Sequence, residues 1–510
     1  MRLQKVSIGN IKERKQLYKP ESALFEFPEK VLQFGTGVLL RALPDFIIDK
    51  ANNNNIFNGR IVVVKSTSIG SADAFAEQDG LYTVCVTGMQ NGNKVEENHI
   101  VSSISRVLSA ANEWAKILDC GTHPAMQIII SNTTEVGLVL INDDISQTPP
   151  ISFPGKLLAF LYHRFQYFNG DIEKGMVIIP TELLPDNGKI LASIVVALAH
   201  QNNLDNTFIN WLTNANHFCS SLVDRIVPGK LPSAKQEIIE KVLGYTDELM
   251  INSEPYYLWA IESDSEKVRE ILSFAKGNNN VVIAPDINKF RELKLRLLNG
   301  SHTFSCGLAH LGGFTTVKEA MEDAAFVNYI SQLMTKEIIP SICTREISKA
   351  EADTFARHVI DRFSNTFIEH KWLSITMQYS SKMATRNLFV IQQFLNIFKD
   401  CPDKMALGMA AHILFMKGVE GADGKYYGHA NEQQYWINDN NAAFYSTAWK
   451  QSNLEDVVTT ILENQSIWSC NLALLKEFKS GVIQWLDTLI NKGAETALLM
   501  VTKDHSLPLS

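Results

Sequence analysis

The run Glu29–Phe34 (EKVLQF) leads directly into Gly35-Thr36-Gly37, and an apolar stretch with helical spacing follows over residues 39–51. A strand that turns through two glycines into a helix limits the possible folds more than any other part of this sequence. It fits the opening unit of a parallel α/β domain, in which the helix packs back over the strand it follows. The first glycine permits a sharp turn, the second lets backbone N–H groups approach an anion, and the helix N-terminus adds a favourable dipole. Such a loop suits the pyrophosphate of a dinucleotide, with Phe34, Gly35, Thr36 and Gly37 as candidate contacts. Leu40 stands where the usual third glycine would be. Glycines also occur in strand-turn-helix corners for structural reasons alone, so the reading depends on what surrounds the loop.

The surroundings agree with it. Arg60–Lys65 (RIVVVK), residues 126–131 and residues 175–181 read as further buried strands, and residues 155–168 and 189–200 as helices. Residues 81–108 read as an antiparallel hairpin about Gln90-Asn91-Gly92-Asn93. Strand character persists through residues 250–262. From Asn288 onward nearly everything has helical spacing, with breaks expected at Gly312-Gly313, Pro340, Pro402 and 421–424. The expected organisation is an α/β domain over residues 1–280 and a mainly helical domain over 281–510.

After the second strand the chain reads Lys65-Ser66-Thr67-Ser68, without the carboxylate that commonly meets the ribose diol of NAD. Lys65 either meets a 2′-phosphate, which would favour NADP, or points into solvent. Net charge is −8, from 47 basic and 55 acidic side chains, and no clustered basic face suggests a nucleic-acid partner. No apolar run approaches the ~18 residues of a membrane span, and the first residues lack the apolar core of a secretory signal. A cytoplasmic protein, monomeric or a small homo-oligomer, is expected. The seven cysteines are scattered and read as reduced thiols.

The helical half opens on Lys294-Leu-Arg-Leu-Leu-Asn299-Gly-Ser-His302. On an α-helix Asn299 would lie about 140° and His302 about 80° around from Lys294, so the three project into one broad sector among leucines. One account is structural: a buried lysine paired with a carboxylate, an amide bonded to backbone, and a satisfied histidine. The other is chemical. Reducing a ketone develops charge on its oxygen, which needs a proton donor and fixed hydrogen-bond donors. Burial disfavours the charged form of a lysine and so makes it a better acid-base group near neutrality. Lys294 would then carry the proton, Asn299 and His302 would hold the oxygen, and no metal would be required. A metal-dependent alternative through His302 and His310 fails on spacing, since eight residues of helix separate them by about 12 Å.

With these residues in view, the sequence resembles the mannitol dehydrogenase family of long-chain polyol dehydrogenases and hexuronate reductases. The likeness is carried by Gly35, Gly37 and Arg41; by Ser131-Asn132-Thr133-Thr134-Glu135; by Pro185-Asp186-Asn187-Gly188; by Val223-Asp224-Arg225-Ile226-Val227-Pro228; and most of all by Lys294-x4-Asn299-x2-His302. The resemblance implies a Rossmann-type N-terminal domain with extra antiparallel strands, a helical C-terminal domain, and NAD as cofactor. It further implies contacts to NAD from Phe34, Gly35, Thr36, Gly37, Arg41, Asn132, Thr133 and Asp224, and acid-base catalysis by Lys294. Polyol dehydrogenases carry a Cys-Asp-Asn stretch where this chain has Pro180-Thr181-Glu182-Leu183-Leu184, so Leu183 replaces an asparagine that helps hold the reacting oxygen. That departure makes a plain polyol a poorer fit, while Thr133-Thr134-Glu135 and Pro180-Thr181-Glu182-Leu183 resemble the hexuronate reductase branch of the family, a resemblance that implies a keto-hexuronate substrate. A sugar acid needs a cation in its pocket, and Lys382 or Arg386 would meet the carboxylate, the arginine in bidentate fashion. Glu135 and Glu182 would orient either the lysine or the sugar hydroxyls. A dinucleotide-binding regulator without catalysis is the alternative from another class, and the intact Lys294, Asn299 and His302 argue against it.

Overall fold

The computed structural model describes residues 1–65, 72–133, 137–367 and 369–503. The chain forms two compact units, the first from residues 1–87 and 94–287, the second from residues 88–93 and from Asn288 onward.

The first unit is built on a six-stranded, wholly parallel sheet. Its order is Ile104–Ser109, Arg60–Lys65, Glu29–Phe34, Ile128–Ser131, Val177–Pro180, His217–Phe218. Counted along the chain this is the doubly wound order 3-2-1-4-5-6, which reverses beside the first strand at the place where such sheets bind dinucleotides. Successive strand residues enter opposite cores. Val31, Ile61, Val63, Ile128 and Ile130 face one, and Leu32, Phe34, Val62, Val64 and Ile129 face the other. Because both faces are covered, the strands need no polar alternation, which is why RIVVVK reads as one apolar run.

The helix expected over residues 39–51 is two helices, Val38–Ala42 and Pro44–Asn53. Pro44 has no N–H to continue the first and disfavours helical geometry at Leu43, whose φ and ψ are −125° and −82°. Tyr82–Gln90 and Asn93–Val101 form the hairpin, and Asn91 and Gly92 take φ of 52° and 73°, as a two-residue hairpin turn with two left-handed residues requires. Ile104–Ser109 lies outside it, as the edge strand of the parallel sheet. The hairpin belongs to a five-stranded sheet with Leu17–Tyr18, Ile251–Ser253 and Gly229–Lys230. A three-stranded sheet joins Ser221–Asp224, Leu258–Glu262 and Val281–Ala284. The strand region at 250–262 therefore supplies two different sheets.

The second unit is mainly helical. Helix Asp403–Phe415 is packed by Ser301–Leu311 on one side and by the long Lys476–Thr502 on another. Its residues from Met405 to Ile413 are all buried, which explains an apolar sequence with little amphipathic contrast. Pro340 does not interrupt its helix: Ala324–Gln332 runs through a π-helical stretch, Leu333–Ile338, into Ile339–Ile342. A small sheet, Val419–Glu420, Tyr426–Ala430 and Gln433–Ile437, stands where only helix breaks were expected. Among the described residues, no helix is long and apolar enough to cross a membrane.

Candidate active site

In the first unit the loop after Glu29–Phe34 is fixed from both sides. The Gly35 N–H donates to the Val64 carbonyl at 3.0 Å, and the Asn132 N–H donates to the Phe34 carbonyl at 3.2 Å. Gly35 has φ +126°, and a Cβ there would come within 2.9 Å of Leu40 Cδ1 and 3.2 Å of the Asn132 carbonyl oxygen. Leu40 thus fills the space beneath the first glycine, which accounts for the missing third glycine. Gly37 differs: its φ of −61° suits any residue, and a Cβ would meet nothing within 4 Å. Phe34 is buried and packs on Phe153, so only its backbone faces the loop.

Arg41 turns inward. Its Nη1 donates to the Leu249 carbonyl at 2.6 Å, and the guanidinium lies over the Phe75 and Tyr82 rings. It braces the first helix from within. Lys65 is buried, which removes the expectation that it points into solvent. Asp224 is buried at the end of Ser221–Asp224. The adjacent Arg225 is fully engaged, donating to the Glu254 and Ala42 carbonyls and stacking on Phe46 and Tyr257.

The Glu182 carboxylate is 2% exposed and is used inside the first unit. Oε1 accepts from the Thr133 N–H at 2.8 Å and the Thr133 hydroxyl at 3.1 Å, while Oε2 accepts from the Ser131 hydroxyl. Burial raises its pKa, and these bonds oppose the rise. The Asn132 amide donates to Thr181, and the Asn187 amide to the Glu182 and Ser221 carbonyls. Glu182 is therefore a clasp across the carboxyl ends of two neighbouring strands. Gly188 follows because a Cβ would strike the Ser220 nitrogen at 2.4 Å. Glu135, with Thr134 and Ser66 to Ser68, lies outside the described residues.

In the second unit, Lys294–Gly300 is a π-helix that continues into Ser301–Leu311. Its hydrogen bonds close from residue i to i+5, so Lys294 and Asn299 stand one turn apart. The sequence expectation of a 140° separation assumed an α-helix and is corrected by this geometry. Lys294 and Asn299 are half-buried. The His302 ring stacks on Phe363 at 3.9 Å with its plane 6° away, and meets Trp372 and His370 edge-on at 5.8 and 5.5 Å. Its Nε2 is buried without a hydrogen-bond partner among the described residues. Burial first, then His370, Arg362 and Arg386, hold its pKa well below the usual histidine range.

Buried Thr303 links the next groups. Its hydroxyl donates to the Asn299 carbonyl at 2.8 Å and accepts from Arg386 Nη1 at 3.1 Å. Lys382 Nζ donates to the Ile375 carbonyl at 3.0 Å. Neither Arg386 nor Lys382 pairs with a carboxylate among the described residues, and burial lowers the pKa of both. His310 packs among Tyr435 and Phe415 instead. No three potential metal ligands converge among the described residues.

Residues 29–272 match the mannitol dehydrogenase Rossmann domain, and residues 286–490 the mannitol dehydrogenase C-terminal domain. The chain belongs to the mannitol dehydrogenase family. Among its relatives, altronate oxidoreductase of Halalkalibacterium halodurans is 34% identical over 97% of both chains. Altronate oxidoreductase of Bacillus subtilis is 35% identical over 93% of this chain and 95% of the relative. The fold is that of mannitol 2-dehydrogenase from Pseudomonas fluorescens, solved with NAD and D-mannitol, at TM-score 0.64 and 23% identity, covering 99% and 100% of the two chains. D-sorbitol dehydrogenase aligns at TM-score 0.76 and 18% identity, covering 98% and 100%.

Two residues of this mannitol dehydrogenase family member that stand against Arg386 and His302, namely Thr303 and His370, were not singled out from the sequence. Thr303 adjoins a singled-out histidine, and a buried hydroxyl one residue further on was the available signal. His370 sits in an irregular segment outside any periodic pattern, so nothing in the sequence pointed to it.

Proposed function

We propose that this dehydrogenase is an altronate oxidoreductase that reduces tagaturonate to altronate with NADH. The single observation that carries the substrate class is the pair Arg386 and Lys382, two half-buried cations without a carboxylate partner among the described residues, beside His302. Unbalanced buried charge is costly, and the carboxylate of a sugar acid supplies the missing counter-charge. The full-length relatives bearing the altronate oxidoreductase name support the same substrate.

The loop fits a dinucleotide. Gly37 is a glycine the chain itself does not require, with open space where a Cβ would lie, and it caps the N-terminus of Val38–Ala42. Bound there, the nicotinamide supplies the hydride. Gly35, Thr36, Gly37 and the backbone of Phe34, with Asn132, Thr133 and Asp224, form the cofactor side, and Arg41 and Glu182 brace it. Lys294 hands a proton to the carbonyl oxygen as charge develops there, and recovers it from solvent. The Asn299 amide and a neutral His302 N–H hold that oxygen, the histidine adding no charge of its own. NADH and NADPH oxidation against tagaturonate, fructuronate and fructose tests the proposal. Tagaturonate with NADH is expected to give the highest kcat/KM; clear preference for fructose overturns it, and preference for fructuronate reassigns the enzyme to that substrate.

A further inference from the structure

We infer that His370 is a specificity-determining residue, a third basic group that binds the substrate carboxylate together with Lys382 and Arg386. The inference rests on the hexuronate reading above and adds the residue that couples recognition of the acid to pH.

His370 is presented by a pinned segment. Its carbonyl accepts from the Val317 N–H at 2.9 Å, Lys371 bridges Thr316, and the Trp372 N–H donates to the Thr315 carbonyl at 3.1 Å. The ring is half-buried, stands 86° to the His302 plane at 5.5 Å, and makes no hydrogen bond among the described residues. One charged group, Lys382, faces it, and the other two cations of the cluster face the neighbouring His302. Lys382, on Tyr379–Phe398, acts on His370 directly, and Arg386 of the same helix acts on His302, which itself lies on Ser301–Leu311. Arg362, from Lys349–Phe363, also acts on His302. On its own segment the neighbouring Glu369 is drawn to Lys318 at 3.5 Å. No carboxylate is among the charged neighbours of His302, His370, Lys382 or Arg386 within the described residues.

Such a cluster is electrostatically incomplete until an anion enters it. Burial, and then the Lys382 ammonium, push His370 below the usual histidine range, so it is neutral near neutrality. A carboxylate seated on Lys382 cancels that repulsion and adds an attraction, and His370 then takes up a proton and donates a charge-assisted hydrogen bond. Acid substrates consequently bind more weakly as pH rises through the histidine range, while an uncharged ketose does not sense His370.

The experiment is steady-state kinetics of the wild type, His370→Asn and His370→Gln with NADH across the histidine titration range, using tagaturonate and fructose. The variants are expected to raise the tagaturonate KM about tenfold at the acid end, the loss of one hydrogen bond to a charged group. They should leave kcat nearly unchanged, flatten the rise of KM with pH, and spare kcat/KM for fructose. A wild-type tagaturonate KM and pH profile retained in both variants overturns the assignment of His370. A wild type that prefers fructose defeats the hexuronate reading itself, a different outcome. If both variants lose their circular dichroism spectrum, titration calorimetry of altronate into the wild type, in buffers of differing ionisation heat, decides: proton uptake on binding supports the inference and its absence overturns it.

Discussion

Gly35 and Gly37 flank one threonine, yet the chain requires glycine at only the first. At Gly35 φ is +126°, and an added Cβ would approach Leu40 Cδ1 at 2.9 Å and the Asn132 carbonyl oxygen at 3.2 Å. Leu40 is wholly buried and the Asn132 backbone is tied to Phe34, so neither yields freely. Gly35→Ala should therefore cost about 1–3 kcal/mol in backbone strain alone, with a further loss from the displaced loop. Gly37→Ala meets neither obstacle, and its stability should change by no more than about 1 kcal/mol. The added methyl would nevertheless lie where a pyrophosphate must approach the backbone. Losing one hydrogen bond to a charged group costs about 1.5–3 kcal/mol, which is roughly ten- to hundredfold in affinity. Urea unfolding and NADH fluorescence titration of both variants separate the two effects. Gly35→Ala should lose stability and affinity together; Gly37→Ala should lose affinity alone. If Gly37→Ala binds NADH as tightly as the wild type, the loop does not hold the dinucleotide and the cofactor assignment fails.

Lys294→Ala should retain NADH binding and lose at least ~10²-fold in turnover; near-normal turnover would show that another group moves the proton. Glu182→Ala leaves the Thr133 and Ser131 donors unmatched and should destabilise the protein by about 2–5 kcal/mol in urea unfolding. The ratio of tagaturonate to fructose kcat/KM should stay unchanged, whereas a shifted ratio would place Glu182 in the substrate pocket. Asp45 is fully buried, and burial raises its carboxyl from 3.8 to about 7, against hydrogen bonds from Gln33 and Tyr82. The folded state therefore binds the proton more tightly, giving a contribution on the order of 4 kcal/mol that is fully present below the unfolded pKa and lost as pH rises through about 7. Asp45→Asn should flatten that slope in unfolding measured at several pH values; an unaltered slope would mean that the carboxylate stays ionised when buried.

The parallel sheet was legible because strands buried on both faces carry their own signal. RIVVVK has no polar residue to spare between Ile61 and Val64, and the structure shows why in two cores that share those valines alternately. The small sheet at Tyr426–Ala430 and Gln433–Ile437 was not legible, since its strands are only five residues long and just the second alternates between exposed and buried positions, over 434–437. Arg41 and Glu182 show a different limit. Both lie in stretches singled out from the sequence for a functional role, yet their charged ends are engaged with Leu249, Ser131 and Thr133. A motif records that a residue type is needed at a position; which way the side chain turns depends on groups distant in sequence.

Lys294-x4-Asn299 carries that limit into the site itself. Read as an α-helix the spacing places the lysine and amide in one broad sector, too loosely to hold a single oxygen between them. The π-turn closes the gap, and it needs support because its carbonyls no longer meet the usual donors. The sequence supplies that support nearby: the Ser301 hydroxyl donates to the Leu297 and Leu298 carbonyls, and buried Asn387 donates to the Gly300 carbonyl from the neighbouring helix. Arg296 adds bonds to the Thr385 and Arg386 carbonyls. The helix that carries the basic residues Lys382 and Arg386 is thus also the one that steadies the turn carrying the proposed acid. A five-residue interval that looks slack on an α-helix becomes a single turn here, and Asn387 and Arg296, which carry no catalytic signature of their own, are what the turn relies on.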